Sequence, residues 1–234
     1  DLKKEGLLER YEELNDLAGD LARKAASESH QTIKVAGSLP PLNGSYRPDR
    51  VLNKEVIEPI YRQQCEALCP YVDVFLAETM STIQEAVSAA SVASEFGKPV
   101  LVGLTLHDEQ RGNLRSGESL SDAICELKKL NLEGLLANCS LPERITDAMP
   151  TIAGSGFTYS GGYANAFCNV PKDWLLDGDK DTDGKLEVRK DLTPNRYRQF
   201  VIEWVESGAN LVGGCCGTTA EHIKSITEWL EKKE

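Results

Sequence analysis

Six times along the chain a short apolar run rich in β-forming residues is followed by a stretch with helical periodicity, and this alternation constrains the fold more than any other feature. The runs are TIKVAGSL (32–39), VDVFLAE (72–78), PVLVGLTL (99–106), EGLLANCS (133–140), FTYSGGYAN (157–165) and NLVGGCC (210–216). Most are apolar through their length, as parallel strands covered on both faces should be. The helical stretches carry their own boundaries. Ser81 and Thr82 stand at capping positions, with Gln84 and Glu85 three residues on and Gly97 at the far end. Thr193-Pro194 opens a helix whose apolar stripe is Phe200, Val201, Trp204 and Val205. Thr218 with Glu221 opens the last, with Ile223, Ile226, Trp229 and Leu230 facing one way. A parallel α/β fold follows, and both an open doubly wound sheet and a closed (β/α)₈ barrel satisfy it. In either, functional side chains gather at the carboxyl ends of the strands.

Composition narrows the function. A formal net charge of -11 repels phosphate backbones, and no Lys/Arg cluster interleaved with aromatics offsets it, so nucleic acid is not an expected partner. No stretch approaches the roughly 18 apolar residues of a membrane span, and DLKKEGLLERYEEL reads as an amphipathic helix and not a signal peptide, which points to the cytoplasm. Seven cysteines, at 65, 69, 125, 139, 168, 215 and 216, form no compact disulfide framework. In a reducing compartment they stay thiols.

Glu78, Cys139 and the adjacent pair Cys215 and Cys216 each close a strand-like run. A strand-end cysteine can be a small apolar filler, and Cys139 can pair with Cys215 or Cys216 in a disulfide. The third reading is a zinc site, with three thiolates at ~2.3 Å and the fourth tetrahedral position open to substrate.

The segments GGCCGTTAEHI (213–223), ANCS (137–140), LAETM (76–80), VAGSLPPLNGSYRPD (35–49) and GGYAN (161–165) resemble the homocysteine S-methyltransferases. That resemblance implies a (β/α)₈ barrel in which Cys139, Cys215 and Cys216 hold zinc. Glu78 would bind the amino group of homocysteine, with Asn138 and Asn165 as further substrate-binding positions. The partners would be homocysteine and a small methyl donor. S-methylmethionine or S-adenosylmethionine is favoured, because a sulfonium leaving group departs neutral and needs no general acid. On this reading residues 1–234 form one homocysteine-binding barrel domain, with an acidic insertion at about 166–192.

The six runs would then be the third to eighth strands. Before Ile33 the sequence DLKKEGLLERYEELNDLAGDLARKAASE reads as one helix, so the expectation is a barrel lacking its first two strands. Additional N-terminal residues or a second copy of the chain would cover the gap. The Asp-Gly turn that the family carries on its first strand does not precede Ile33, which leaves a non-catalytic zinc-binding scaffold as the alternative to an enzyme. DGDKDTDGKLEV (177–188) mimics a calcium loop at Asp179, Asp181, Asp183 and Gly184, but Lys190 stands where a bidentate Glu belongs, so a solvated acidic loop is expected. SLPPLNGSYRPD (38–49) is either a substrate-covering loop or an ordinary connection. His30 and His222 read as solvated, His107 as a charged-loop residue, and Cys65, Cys69 and Cys125 as helical packing residues.

Overall fold

The computed structural model describes residue 2, residues 5–176, residue 178 and residues 183–233. All six expected strands form: β1 (Ala36–Leu39), β2 (Val74–Met80), β3 (Val100–Leu104), β4 (Gly134–Asn138), β5 (Tyr159–Ala164) and β6 (Leu211–Gly214). They make one parallel sheet in chain order, with β1 and β6 at its edges. Helices α1 (Tyr11–Ser27), α2 (Lys54–Leu68), α3 (Ile83–Ser94), α4 (Leu120–Leu127), α5 (Pro142–Ala153), α6 (Pro194–Glu206) and α7 (Ala220–Leu230) complete the alternation.

Strand periodicity sorts the side chains into two faces. Phe75, Ala77, Val100, Val102, Leu104, Leu135 and Ala137 pack outward into the main core, against helix residues such as Ile57, Ala89, Ile145 and Trp204. Leu101, Leu136 and Tyr163 cluster on the other face with Val74, Leu76 and Leu211. Flat, six strands ~4.8 Å apart would hold the ends of β1 and β6 about 24 Å from each other. Yet Pro40 and Pro41, just past β1, line the same cavity as Cys215, just past β6. The sheet is therefore curled into a partial barrel with Leu101, Leu136 and Tyr163 inside. Among the described residues no helix is long and apolar enough to cross a membrane.

Several local expectations change. Only Gly19 of α1 is buried, against Tyr71, while Leu17 and Leu21 on the same helix stay exposed. Helix α7 is capped by Thr219, one residue later than expected, because His222 at its third position returns the capping bond. His222 is accordingly buried, with Nε2 3.0 Å from the Leu192 carbonyl oxygen, and is not solvated. The inward face of α7 is His222, Ser225 and Ile226, which turns Ile223 and Leu230 to solvent. Cys65 packs in the core as expected, but Cys125 is exposed on α4.

β5 and β6 approach so closely that a Cβ on Gly161 would collide with the Leu211 carbonyl. Gly161→Ala is therefore expected to destabilise the fold by about 1–3 kcal/mol, the usual range for overpacking. A lowered urea midpoint at constant slope checks this, and an unchanged midpoint contradicts it.

Candidate metal and substrate site

Glu78 and the three cysteines lie at the ends of alternate strands β2, β4 and β6, and in a curled parallel sheet alternate strands face one another across the interior. Cys215 Sγ lies 3.0 Å from Cys139 Sγ, and Cys216 Sγ lies 3.7 Å from Cys139 and 3.9 Å from Cys215. All three thiols are free. Backbone bonds fix them: Cys139 N–H donates to the Tyr163 carbonyl, Cys215 N–H to the Ala164 carbonyl, and the Cys216 carbonyl accepts from Ala166 N–H. Gly217 follows with φ +76, the left-handed turn that takes the chain from β6 toward α7.

Sulfurs at ~2.3 Å around a tetrahedral zinc stand about 3.8 Å apart. Two of the three separations match that spacing, and the third is a thiol hydrogen bond, so the trio fits a soft divalent metal. Electrostatics agree. Hydrogen bonds from Cys139 and Cys215 hold the Cys216 thiol well below the ordinary thiol range, whereas hydrogen bonding to Cys139 and Cys216, together with burial, pushes Cys215 far up. The first proton leaves easily and the others are retained, as expected of like charges crowded without a cation.

Glu78 lies on the same interior. Ser38 Oγ donates to its Oε1 at 2.5 Å and Tyr163 Oη to its Oε2 at 3.1 Å, which orients the carboxylate between β1 and β5. Among the described residues it has no ion-pair partner. The ladder between β2 and β3 shifts register between Ala77 and Met80, and such a bulge re-aims the side chain it carries.

The cavity measures about 390 Å³ and is lined by Glu78, Thr79, Cys139, Cys215 and Cys216, with Pro40, Pro41, Ser45 and Tyr46 from the loop after β1. The remaining wall is Phe167, Trp174, Leu176, Gly184 and Leu186. The loop at 38–49 thus covers the cavity, and apolar residues of the stretch at 166–192 form part of its wall instead of lying in solvent. Of the calcium-like positions, Asp179 and Asp181 lie outside the described residues. Asp183 is buried and accepts from Leu175 N–H at 3.0 Å.

Asn138 and Asn165 are brought beside the cavity but not onto its wall. Asn138 is fully buried, accepting from Thr79 N–H at 2.8 Å and donating to Thr79 Oγ1 at 2.9 Å. Asn165 Oδ1 accepts from Phe167 N–H at 3.2 Å. His107 caps its own loop, with Nδ1 accepting from the Glu109 and Gln110 amides.

Sequence reasoning missed Tyr46, whose hydroxyl sits 2.8 Å from Cys139 Sγ. The described non-glycine residues with positive φ are Tyr46 (64°), Thr79 (64°) and Cys139 (46°), and all three line this cavity. Each left-handed residue costs roughly 1–3 kcal/mol, so strain is concentrated where chemistry-bearing side chains must converge.

Residues 1–230 match the family model described as Homocysteine S-methyltransferase. The chain belongs to the homocysteine S-methyltransferase family. The metallated form of the homocysteine methyltransferase MmuM from Escherichia coli is similar at 25% identity and a TM-score of 0.76, over 97% of this chain and 74% of that one. Its oxidized form aligns at 24% identity and a TM-score of 0.77 over the same shares. Type I 3-dehydroquinate dehydratase from Clostridium difficile, at 8% identity and a TM-score of 0.51 over 95% of this chain and 78% of that one, shares the fold alone. Cys139, Cys215 and Cys216 are placed where they could hold a metal ion, and the MmuM enzyme is known in a metallated form.

Because hydrogen bonds from Cys139 and Cys215 hold the Cys216 thiol well below the ordinary thiol range, alkylation of this cysteine in reduced, metal-free protein should be nearly independent of pH between 6 and 8. Peptide mapping after brief iodoacetamide treatment measures this. A rate rising tenfold per pH unit, as for an ordinary thiol, would contradict it.

Proposed function

We propose that this chain transfers a methyl group from a small sulfonium donor, S-methylmethionine or S-adenosylmethionine, to the thiol of homocysteine, giving methionine. The observation that carries the reading is the meeting of three thiols and an unpaired carboxylate in one cavity whose wall holds no Lys, Arg or His among the described residues. Cys139, Cys215 and Cys216 would hold a zinc ion, which supplies the positive charge that keeps the substrate thiol deprotonated at neutral pH.

The chain's own residues account for the rest. Glu78 pairs with the substrate ammonium, and the hydroxyls of Ser38 and Tyr163 keep its carboxylate aimed. Burial and the Glu78 charge push the Tyr163 hydroxyl well up, so it remains a donor. Asn138 clamps the strained Thr79 beside Glu78, and we assign it to holding that bulge and not to touching substrate. Asn165 belongs with the loop around Phe167 in the same sense. The homocysteine sulfur forms a bond to the donor methyl carbon as the donor's S–CH₃ bond breaks, the thiol proton goes to solvent, and the donor leaves as a neutral thioether. Trp174 and Phe167 on the wall supply aromatic rings of the kind that attract a cationic donor, whereas an anionic folate would find no basic group on that wall to bind.

A panel of S-methylmethionine, S-adenosylmethionine, betaine and 5-methyltetrahydrofolate with homocysteine tests this directly. Methionine formed from a sulfonium donor is expected. Metal retention with no transfer from any donor would favour the scaffold reading instead. Glu78→Gln should lower kcat/KM for homocysteine roughly ten- to a hundredfold, the value of a charge-assisted hydrogen bond, with metal content unchanged. Loss of metal in that variant would make Glu78 a support of the metal centre, and an unchanged kcat/KM would remove it from the site.

A further inference from the structure

We propose that Tyr46 is a positioning residue for the sulfur cluster, holding Cys139 in its metal-binding orientation by a phenol-to-sulfur hydrogen bond. The inference rests on the metal reading given above and goes beyond it, because Tyr46 is neither a ligand nor a group that reacts.

The bond is 2.8 Å long and lies in a dry setting, with Tyr46 4% exposed and Cys139 3% exposed. A deprotonated cysteine can only accept, so in that state the phenol is the donor. Partners of this type orient a metal ligand and share its negative charge.

The ring itself is clamped. The Arg115 guanidinium stands 5.1 Å from its centroid, and the Trp174 ring packs at 5.9 Å with a 56° tilt. Arg115 is in turn fixed by a two-pronged pair with Asp108, at 2.6 and 3.1 Å, with both side chains nearly buried. Tyr46 also sits in the left-handed backbone region at φ 64°, a conformation that persists only where its surroundings impose it. Such a phenol is aimed at Cys139 and does not find it by chance. Cys139 itself has φ 46°, and among the described residues Tyr46 is the side chain from outside the trio that reaches its sulfur.

Chelator competition on full-length protein loaded with one zinc tests the assignment, with activity as a secondary readout. Tyr46→Phe keeps the ring between Arg115 and Trp174 and removes only the hydroxyl. Zinc affinity is expected to fall roughly ten- to a hundredfold, the range found when a ligand's outer partner is lost. Trp174→Phe disturbs the same packing while leaving the phenol in place, and its zinc affinity should stay within about twofold of wild type by the same reasoning. Equal losses in both variants would mean a general packing effect and overturn the proposal, as would wild-type affinity in Tyr46→Phe. If wild type itself binds no zinc, the metal reading fails and this inference with it. If wild type binds zinc and Tyr46→Phe binds it equally well, only the role of Tyr46 falls.

Discussion

Three sulfur atoms within 3.0 to 3.9 Å of one another cannot all carry charge unless a cation stands among them. At an effective dielectric near 20, two thiolates 3.7 Å apart repel by about 4 kcal/mol, and the trio contains three such pairs. Much of the construction around the cavity serves to bring these atoms together regardless. Alternate strands of a curled parallel sheet supply Cys139 and the Cys215–Cys216 pair from β4 and β6. The backbone at Cys139 is forced to positive φ, and the Gly217 turn holds the pair back from α7. Such a cluster, assembled without a disulfide, could hold a metal ion.

The same economy of position explains Glu78. Its carboxylate is oriented by two neutral hydroxyls and, among the described residues, by no cation, and the proposed reading leaves its counter-charge to a substrate ammonium. Asn138 ties Thr79 by both ends of its carboxamide and so stabilises the bulge that carries Glu78. Sulfur cluster and carboxylate share one cavity, and an amino-acid thiol presents the two complementary groups, ammonium and sulfur. Membership of the homocysteine S-methyltransferase family and this arrangement point the same way.

What could be read in advance was whatever depends on periodicity. Apolar runs separated by capped helices gave all six strands, and their carboxyl ends gave Glu78, Cys139, Cys215 and Cys216. What escaped depends on the path of loops. Tyr46 sits among Pro, Gly and Asn residues, where a lone aromatic looks like a surface residue until the loop is seen to fold over β4. Trp174 and Leu176 were masked by the acidic run behind them, although an aromatic followed by two leucines was the available signal. His222 looked solvated because a polar residue near a helix start usually is, but here it returns the cap of α7 and reaches the Leu192 carbonyl. Asn138 and Asn165 stood in the right segments, but spacing alone cannot distinguish a residue on a cavity wall from one directly behind it.

Cys139, Cys215 and Cys216 together make the proposed metal centre. X-ray absorption at the zinc edge, on protein purified without chelators, tests it most directly. About one zinc per chain is expected, with a first shell of three sulfurs at ~2.3 Å. A shell dominated by nitrogen or oxygen, or protein that holds no zinc, would contradict it.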